Sequence, residues 1–222
     1  MAAPTTHIVL ANKVFDNFFL KSKKDFFIGT SFPDIRYLKV IDRDITHFKN
    51  TTLNLKTLNL DNSFIAGAKI HVIVDEIREN YIVAHDIYSY LPKSKYIARS
   101  LKLLEDELLY EKIISWEYII KDFENIPYEQ INFSLDKKHI EKWYLLLRKY
   151  FLSKPTPQIR KKFIEEIGFR SEDADEMNKL IEAIRNNEQI RKIIYGLFDN
   201  FELLLKVFAA KEKLKVSDKI IL

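Results

Sequence analysis

Apolar residues along this chain recur at intervals of three and four, the spacing that gathers side chains on one face of an α-helix. Val9, Leu10, Val14, Phe15 and Phe18 mark a first helix, which the pattern starts at Thr5 or Thr6, either of them able to cap it, and frays between Lys21 and Asp25. Residues 26–34 are apolar but carry Gly29 and Pro33, which predicts a short helical turn running into a buried loop. Over 39–62 polar and apolar positions alternate without a period, as in a loop with short helical pieces. Phe64, Ala66, Ile70, Ile73, Val74, Ile77 and Tyr81 then form one broad stripe within 63–89, and Val72 and Val83 extend it round the back. A helix apolar nearly all round is a central, buried one. Beyond Pro92, amphipathic patterns cover 96–123 and 136–151. Thr156-Pro157 opens a helix that Gly168 closes, Ser171 caps another, and a last long helix covers 188–215.

Composition narrows the fold class further. Four glycines and six prolines in 222 residues are too few for the many turns of a sandwich or barrel. The expectation is an all-α, single-domain multi-helix bundle spanning 1–222, because the only linker-like stretch, 153–156, is too short to divide it. Hydrophobic residues make up 47% of the chain, which excludes general disorder. The absence of cysteine removes disulfides, thiolate zinc sites and cysteine nucleophiles together. A net charge of +4 arises from 36 basic and 32 acidic residues in mixed order, the pattern of solvated helix faces, and no nucleic-acid partner is expected. The amino-terminal residues lack a basic and then apolar leader, and no apolar run approaches the ~20 residues of a membrane span. A cytoplasmic location is the expectation.

Four of the five histidines, His7, His47, His71 and His85, fall in the first 85 residues. His71 and Asp75 share one face of the central helix, and Gly67 lies one turn earlier, where a missing side chain lets another segment or a ligand come close. Burying an imidazole and a carboxylate without partners costs several kcal/mol. They can satisfy each other, lie on a wetter face, or hold a divalent cation, which needs neutral imidazole and ionised carboxylate together. His7 opens the first helix, Asp34 follows Phe32-Pro33, and His47 precedes Phe48. Each alone is most simply a cap, a turn residue or a satisfied core histidine. Jointly they make a His/Asp-rich metal site within 1–90, with the helices of 155–222 accessory to it. Nucleotide-binding glycine loops and the Gly-x-Ser-x-Gly elbow are absent.

The order His7, Gly29 to Pro33-Asp34, His47, then Gly67-x-x-x-His71-x-x-x-Asp75 resembles the zinc-dependent phospholipase C family. It is also similar to acyl carrier protein phosphodiesterase, another helical metal-dependent hydrolase. The resemblance covers residues 7–85. It implies a divalent metal, zinc by family habit, held by His7, Asp34, His47, His71 and Asp75, and a phosphodiester substrate such as a phospholipid or a phosphopantetheine group. Arg36 and Arg78 would hold phosphate oxygens. The chain departs from the phospholipase pattern after Asp75: no histidine follows until His85, and no His-x-x-x-Glu occurs. The Thr-Asp pair of the acyl carrier family is missing too. One or two ions are therefore expected rather than three, with Glu79 or His85 as substitute ligands. The alternative is a non-catalytic helical protein that kept the architecture and acts through protein partners.

Overall fold

A computed structural model describes residues 3–49 and 53–218, with side chains through Lys211. Ten α-helices account for most of it: α1 (Pro4–Val14), α2 (Lys23–Ser31), α3 (Arg43–Thr46), α4 (Ser63–Ala84), α5 (Ile97–Leu109), α6 (Trp116–Asp122), α7 (Lys137–Phe151), α8 (Pro157–Glu166), α9 (Ser171–Ile184) and α10 (Glu188–Asp218). Short 3-10 turns join them, and no strand occurs among the described residues, so the fold class is all-α. No described helix is long and apolar enough to cross a membrane.

α4 is the central element, packed against α2, α1 and α10. It begins where Asn62 Oδ1 accepts the Ile65 N–H at 2.8 Å, and Phe64, Ile70, Ile73, Val74 and Ile82 lie wholly buried on it. Its crossing with α2 is unusually close, because glycines meet there. A Cβ on Gly67 would sit 2.0 Å from the Phe26 carbonyl oxygen, and one on Gly29 would sit 1.9 Å from that of Phe64. The space expected beside Gly67 is thus filled by the backbone of α2.

Several helix starts differ from the local pattern. α1 begins at Pro4, and neither Thr5 nor Thr6 caps it. The Asp106 carboxylate, from α5, accepts the N–H groups of Thr5 and Thr6 at 3.1 and 2.7 Å and the Thr6 hydroxyl at 2.8 Å. α2 is a full helix from Lys23, capped by Ser22, where fraying and a short turn were expected. The loop over 39–62 does carry short helical pieces, α3 and a 3-10 stretch at Leu55–Leu60, while 50–52 lie outside the described residues. The pattern over 96–123 divides into α5 and α6, with Trp116 Nε1 donating to the Tyr110 carbonyl at 2.9 Å across the break. Ser171 is the first residue of α9 rather than its cap; Asp173 reaches back to the Arg170 N–H at 3.3 Å.

Candidate metal centre

The carboxyl end of α2 fixes the site. The last carbonyls of a helix have no partner within it. Here side chains from α4 and α7 supply them: Tyr144 Oη donates to the Ile28 carbonyl at 2.8 Å, Trp143 Nε1 to that of Ser31 at 2.9 Å, and His71 Nδ1 to that of Thr30 at 2.8 Å. The α2–α4 glycine crossing brings α4 near enough for the last of these bonds. Pro33 then turns the chain into a 3-10 stretch that carries the buried Asp34 back to the same place. His7 arrives from α1, whose start Asp106 pins to α5. His47 arrives from the end of α3.

The five side chains converge in the interior. His7 Nε2 lies 3.2 Å from Asp75 Oδ1, His47 Nε2 3.8 Å from Asp75 Oδ2, and His71 Nε2 3.9 Å from Asp75 Oδ2 and 4.0 Å from Asp34 Oδ1. All five residues are buried, none more than 7% exposed. The His7 and His71 rings stack at 3.7 Å between centroids, and His47 meets His71 edge-on at 5.3 Å. Two overlapping groups have ligand atoms within 4.8 Å of one another: His7, Asp34 and His71, and His47, His71 and Asp75. His71 belongs to both.

Protonation makes these distances informative. A backbone carbonyl only accepts hydrogen bonds, so the His71 ring must carry its proton on Nδ1, facing Thr30. The same holds for His7, whose Nδ1 faces the Ala3 carbonyl at 3.1 Å. His47 Nδ1 faces Thr46 Oγ1 at 3.0 Å, and that hydroxyl spends its proton on the Arg43 carbonyl at 3.2 Å, leaving a lone pair for the ring N–H. In neutral His47 and His71, Nε2 therefore presents a lone pair toward carboxylate oxygens, while His7 Nε2 lies within hydrogen-bond distance of Asp75 Oδ1. Burial holds His71 well below the usual imidazole range and brings His47 down to about 3, so both rings are neutral. Burial would raise Asp75, but the hydrogen bond and charge that His7 offers at Asp75 Oδ1 outweigh it and hold the carboxyl well below its ordinary value. Burial pushes Asp34 upward against the opposing Arg36, whose Nη2 donates to Asp34 Oδ1 at 3.1 Å.

Lone pairs facing carboxylates repel unless a cation lies between them. The Nε2 atoms of His47 and His71 are buried without a hydrogen-bond partner. Two ligand atoms each about 2.0–2.2 Å from a shared zinc ion lie roughly 3–4 Å apart, which is the spacing found here. An Nδ1–H held by a carbonyl or hydroxyl is also the usual outer-shell arrangement of metal-binding histidines. On donor chemistry and geometry, the residues present fit a divalent ion.

The other candidates lie elsewhere. Arg78, expected to grip a phosphate, is wholly buried and held by Glu105, through Nε to Oε2 at 2.8 Å and Nη2 to Oε1 at 2.6 Å. Its remaining amino group donates to Glu79 at 3.0 Å, which occupies that carboxylate as well. His85 is exposed and bonds the Tyr81 carbonyl through Nδ1 at 2.8 Å. Beside the cluster, α5 contributes Arg99 and Lys102 to a cleft that also touches Asp34. No motif in the sequence separated these two from the solvated face of an amphipathic helix. Neither a family model, nor a curated protein, nor a solved structure matches the chain.

Proposed function

We propose that this protein is a metal-dependent phosphoester hydrolase whose one or two ions draw their ligands from His7, Asp34, His47, His71 and Asp75. The observation that carries the reading is the convergence of three imidazole Nε2 atoms on two buried carboxylates, each ring held through its Nδ1. A bound divalent ion, zinc in this reading, would lower the pKa of a water and polarise a phosphoryl oxygen. The protein's own part is positional. The Thr30 and Ala3 carbonyls and the Thr46 hydroxyl keep three nitrogens in the ligating tautomer. Arg36 steadies Asp34, and the apolar shell of α1, α2 and α4 keeps bulk water from the ligands. The order of these residues, similar to that of zinc-dependent phospholipase C, supports a phosphodiester such as a phospholipid or a phosphopantetheine group as the substrate class.

A second reading is a non-catalytic helical protein acting through partners. It is favoured by the commitment of Arg78 and Glu79 to an ion-pair network and by the distance of His85, ten residues and so about 15 Å along the helix from Asp75. Metal analysis by mass spectrometry on dialysed protein, paired with hydrolysis of a generic phosphodiester, separates the two. Stoichiometric zinc with chelator-sensitive turnover is expected. Metal-free protein from zinc- and manganese-supplemented medium, with a melting curve indifferent to chelator, would overturn the hydrolase reading.

A further inference from the structure

A small cleft lies between the start of α1, the 3-10 turn after Pro33, α5 and α8, and Asp34 of the cluster lines it. Asp34, Tyr37, Arg99 and Lys102 give it a polar side, and Phe163 and Ile164 are part of an apolar wall. Lys102 is half-buried. Ion pairing is otherwise common in this chain: Lys69 pairs with Asp61, Lys154 with Glu111, Lys161 with Asp175, and Arg160 and Arg185 with Glu107. Lys102 makes no hydrogen bond or ion pair among the described residues, nor does Arg99, whose guanidinium stacks on the Phe169 ring at 4.2 Å. That stacking fixes the guanidinium without using its N–H donors.

We propose that Lys102 and Arg99 are the anion-binding side of this cleft and hold the non-bridging oxygens of a phosphoryl group carrying two negative charges, as in a phosphomonoester. The inference rests on the metal reading and departs from its phosphodiester class, since the charge of this cleft favours a phosphomonoester. Among the described residues Asp34 is the only acid in the lining; Arg36 already pairs with it, and a divalent ion bound there would take up the rest of its charge. The two cations then have no acidic counterpart in the cleft except a ligand. A singly charged diester neutralises one of them, whereas a phosphomonoester dianion neutralises both.

Inorganic phosphate titrated calorimetrically into zinc-loaded protein tests the proposal, with zinc content measured on each sample. Lys102→Gln is expected to weaken phosphate binding by about tenfold or more, the loss of one charge-assisted contact, and Arg99→Gln by several-fold. Lys102→Arg should restore most of the affinity, and zinc content should match the wild type throughout. Methyl phosphate should compete with inorganic phosphate, and dimethyl phosphate should compete at least about tenfold more weakly. Unchanged phosphate affinity in Lys102→Gln overturns the proposal even if zinc is bound, and so does equal competition by the two esters. If the wild type holds no zinc, the metal reading fails by itself. Phosphate binding to the metal-free protein then decides the cleft: dependence on Lys102 and Arg99 sustains it, and independence or absence of binding ends it.

Discussion

Two polar clusters share the core of this protein, and both draw on α4. In one, Arg78 and Glu105 meet in a bidentate pair with no exposed surface, close to Asp106, which takes two backbone N–H groups and two hydroxyls, those of Thr6 and Tyr150. In the other, one turn earlier on α4, His71 and Asp75 face His7, His47 and Asp34. The first cluster is complete in its hydrogen bonds: Arg78 opposes Glu105, and every donor aimed at Asp106 meets a carboxylate oxygen. The second brings like lone pairs together. Both are equally buried and equally rich in charged groups, so burial and charge do not mark a ligand site. Unmatched donor and acceptor roles do.

The largest expected effect breaks the second cluster as a metal site. His71 belongs to both ligand groups, so His71→Ala should abolish zinc retention and, with it, phosphoester hydrolysis. The loss should exceed the 10–100-fold in affinity that deletion of an outer-shell partner costs. Asp75→Ala should do the same. Zinc at about a thousandfold above its dissociation constant stabilises the wild type by about 4 kcal/mol, so chelator should lower the wild-type melting temperature and leave that of either variant unchanged. A mutually hydrogen-bonded pair with no metal predicts the opposite pattern: a melting temperature lowered by the substitution and indifferent to chelator.

Next comes the complete cluster. Glu105→Ala leaves the buried Arg78 guanidinium with only the partly exposed Glu79 to oppose it, which should cost about 3 kcal/mol, the low end for a broken buried pair. Chemical denaturation measures it. The decisive feature is that the cost should be the same in zinc and in chelator, since this pair takes no part in binding the ion. A stability loss that appears only with zinc would merge the two clusters into one functional unit and dissolve the contrast between them.

The contact that brings the metal cluster together should be nearly as sensitive. A methyl group on Gly67 cannot fit 2.0 Å from the Phe26 carbonyl oxygen, so α2 and α4 must part. Gly67→Ala should cost about 1–3 kcal/mol, as overpacking does. It should also weaken zinc binding, because separating the helices pulls His71 from the Thr30 carbonyl. Glycine-to-alanine at an exposed helical site would stabilise instead, so the sign of the change alone tests the crossing.

The difference between what the sequence reveals and what it hides follows from range. The fold class, the central place of α4, and the cap at Thr156 rest on residues within a turn or two of one another, and periodicity reads them directly. The start of α1 was not legible, because its cap is Asp106, a hundred residues away. Arg78 looked available for phosphate on α4 alone; Glu105, on the next long helix, claims it. The gathering of His7, Asp34, His47, His71 and Asp75 was legible only in part. The His71–Asp75 spacing and Gly67 mark one face, but the carbonyls that set the imidazole tautomers come from folding. Lys102 and Arg99 gave no signal at all, since an unpaired cation and a solvated one look alike until neighbours are known.

The smallest effect tests tautomer control itself. Thr46 Oγ1 links the His47 ring to the Arg43 carbonyl, so its loss leaves the ring without the bond that keeps its proton on Nδ1. Thr46→Val preserves shape and removes only that hydroxyl. The ring can then place its proton on Nε2 and turn a donor toward Asp75, satisfying by itself the mismatch that favours the ion. Zinc affinity should fall by about tenfold, the low end of what outer-shell partners contribute. Stability in chelator should hold or rise, because the metal-free cluster loses a repulsive arrangement. Competition titration against a chromophoric chelator reads the first change and thermal melting the second. A variant that binds zinc as the wild type does would show that the hydroxyl does not select the His47 tautomer, and would leave the Thr30 and Ala3 carbonyls as the groups that orient the site.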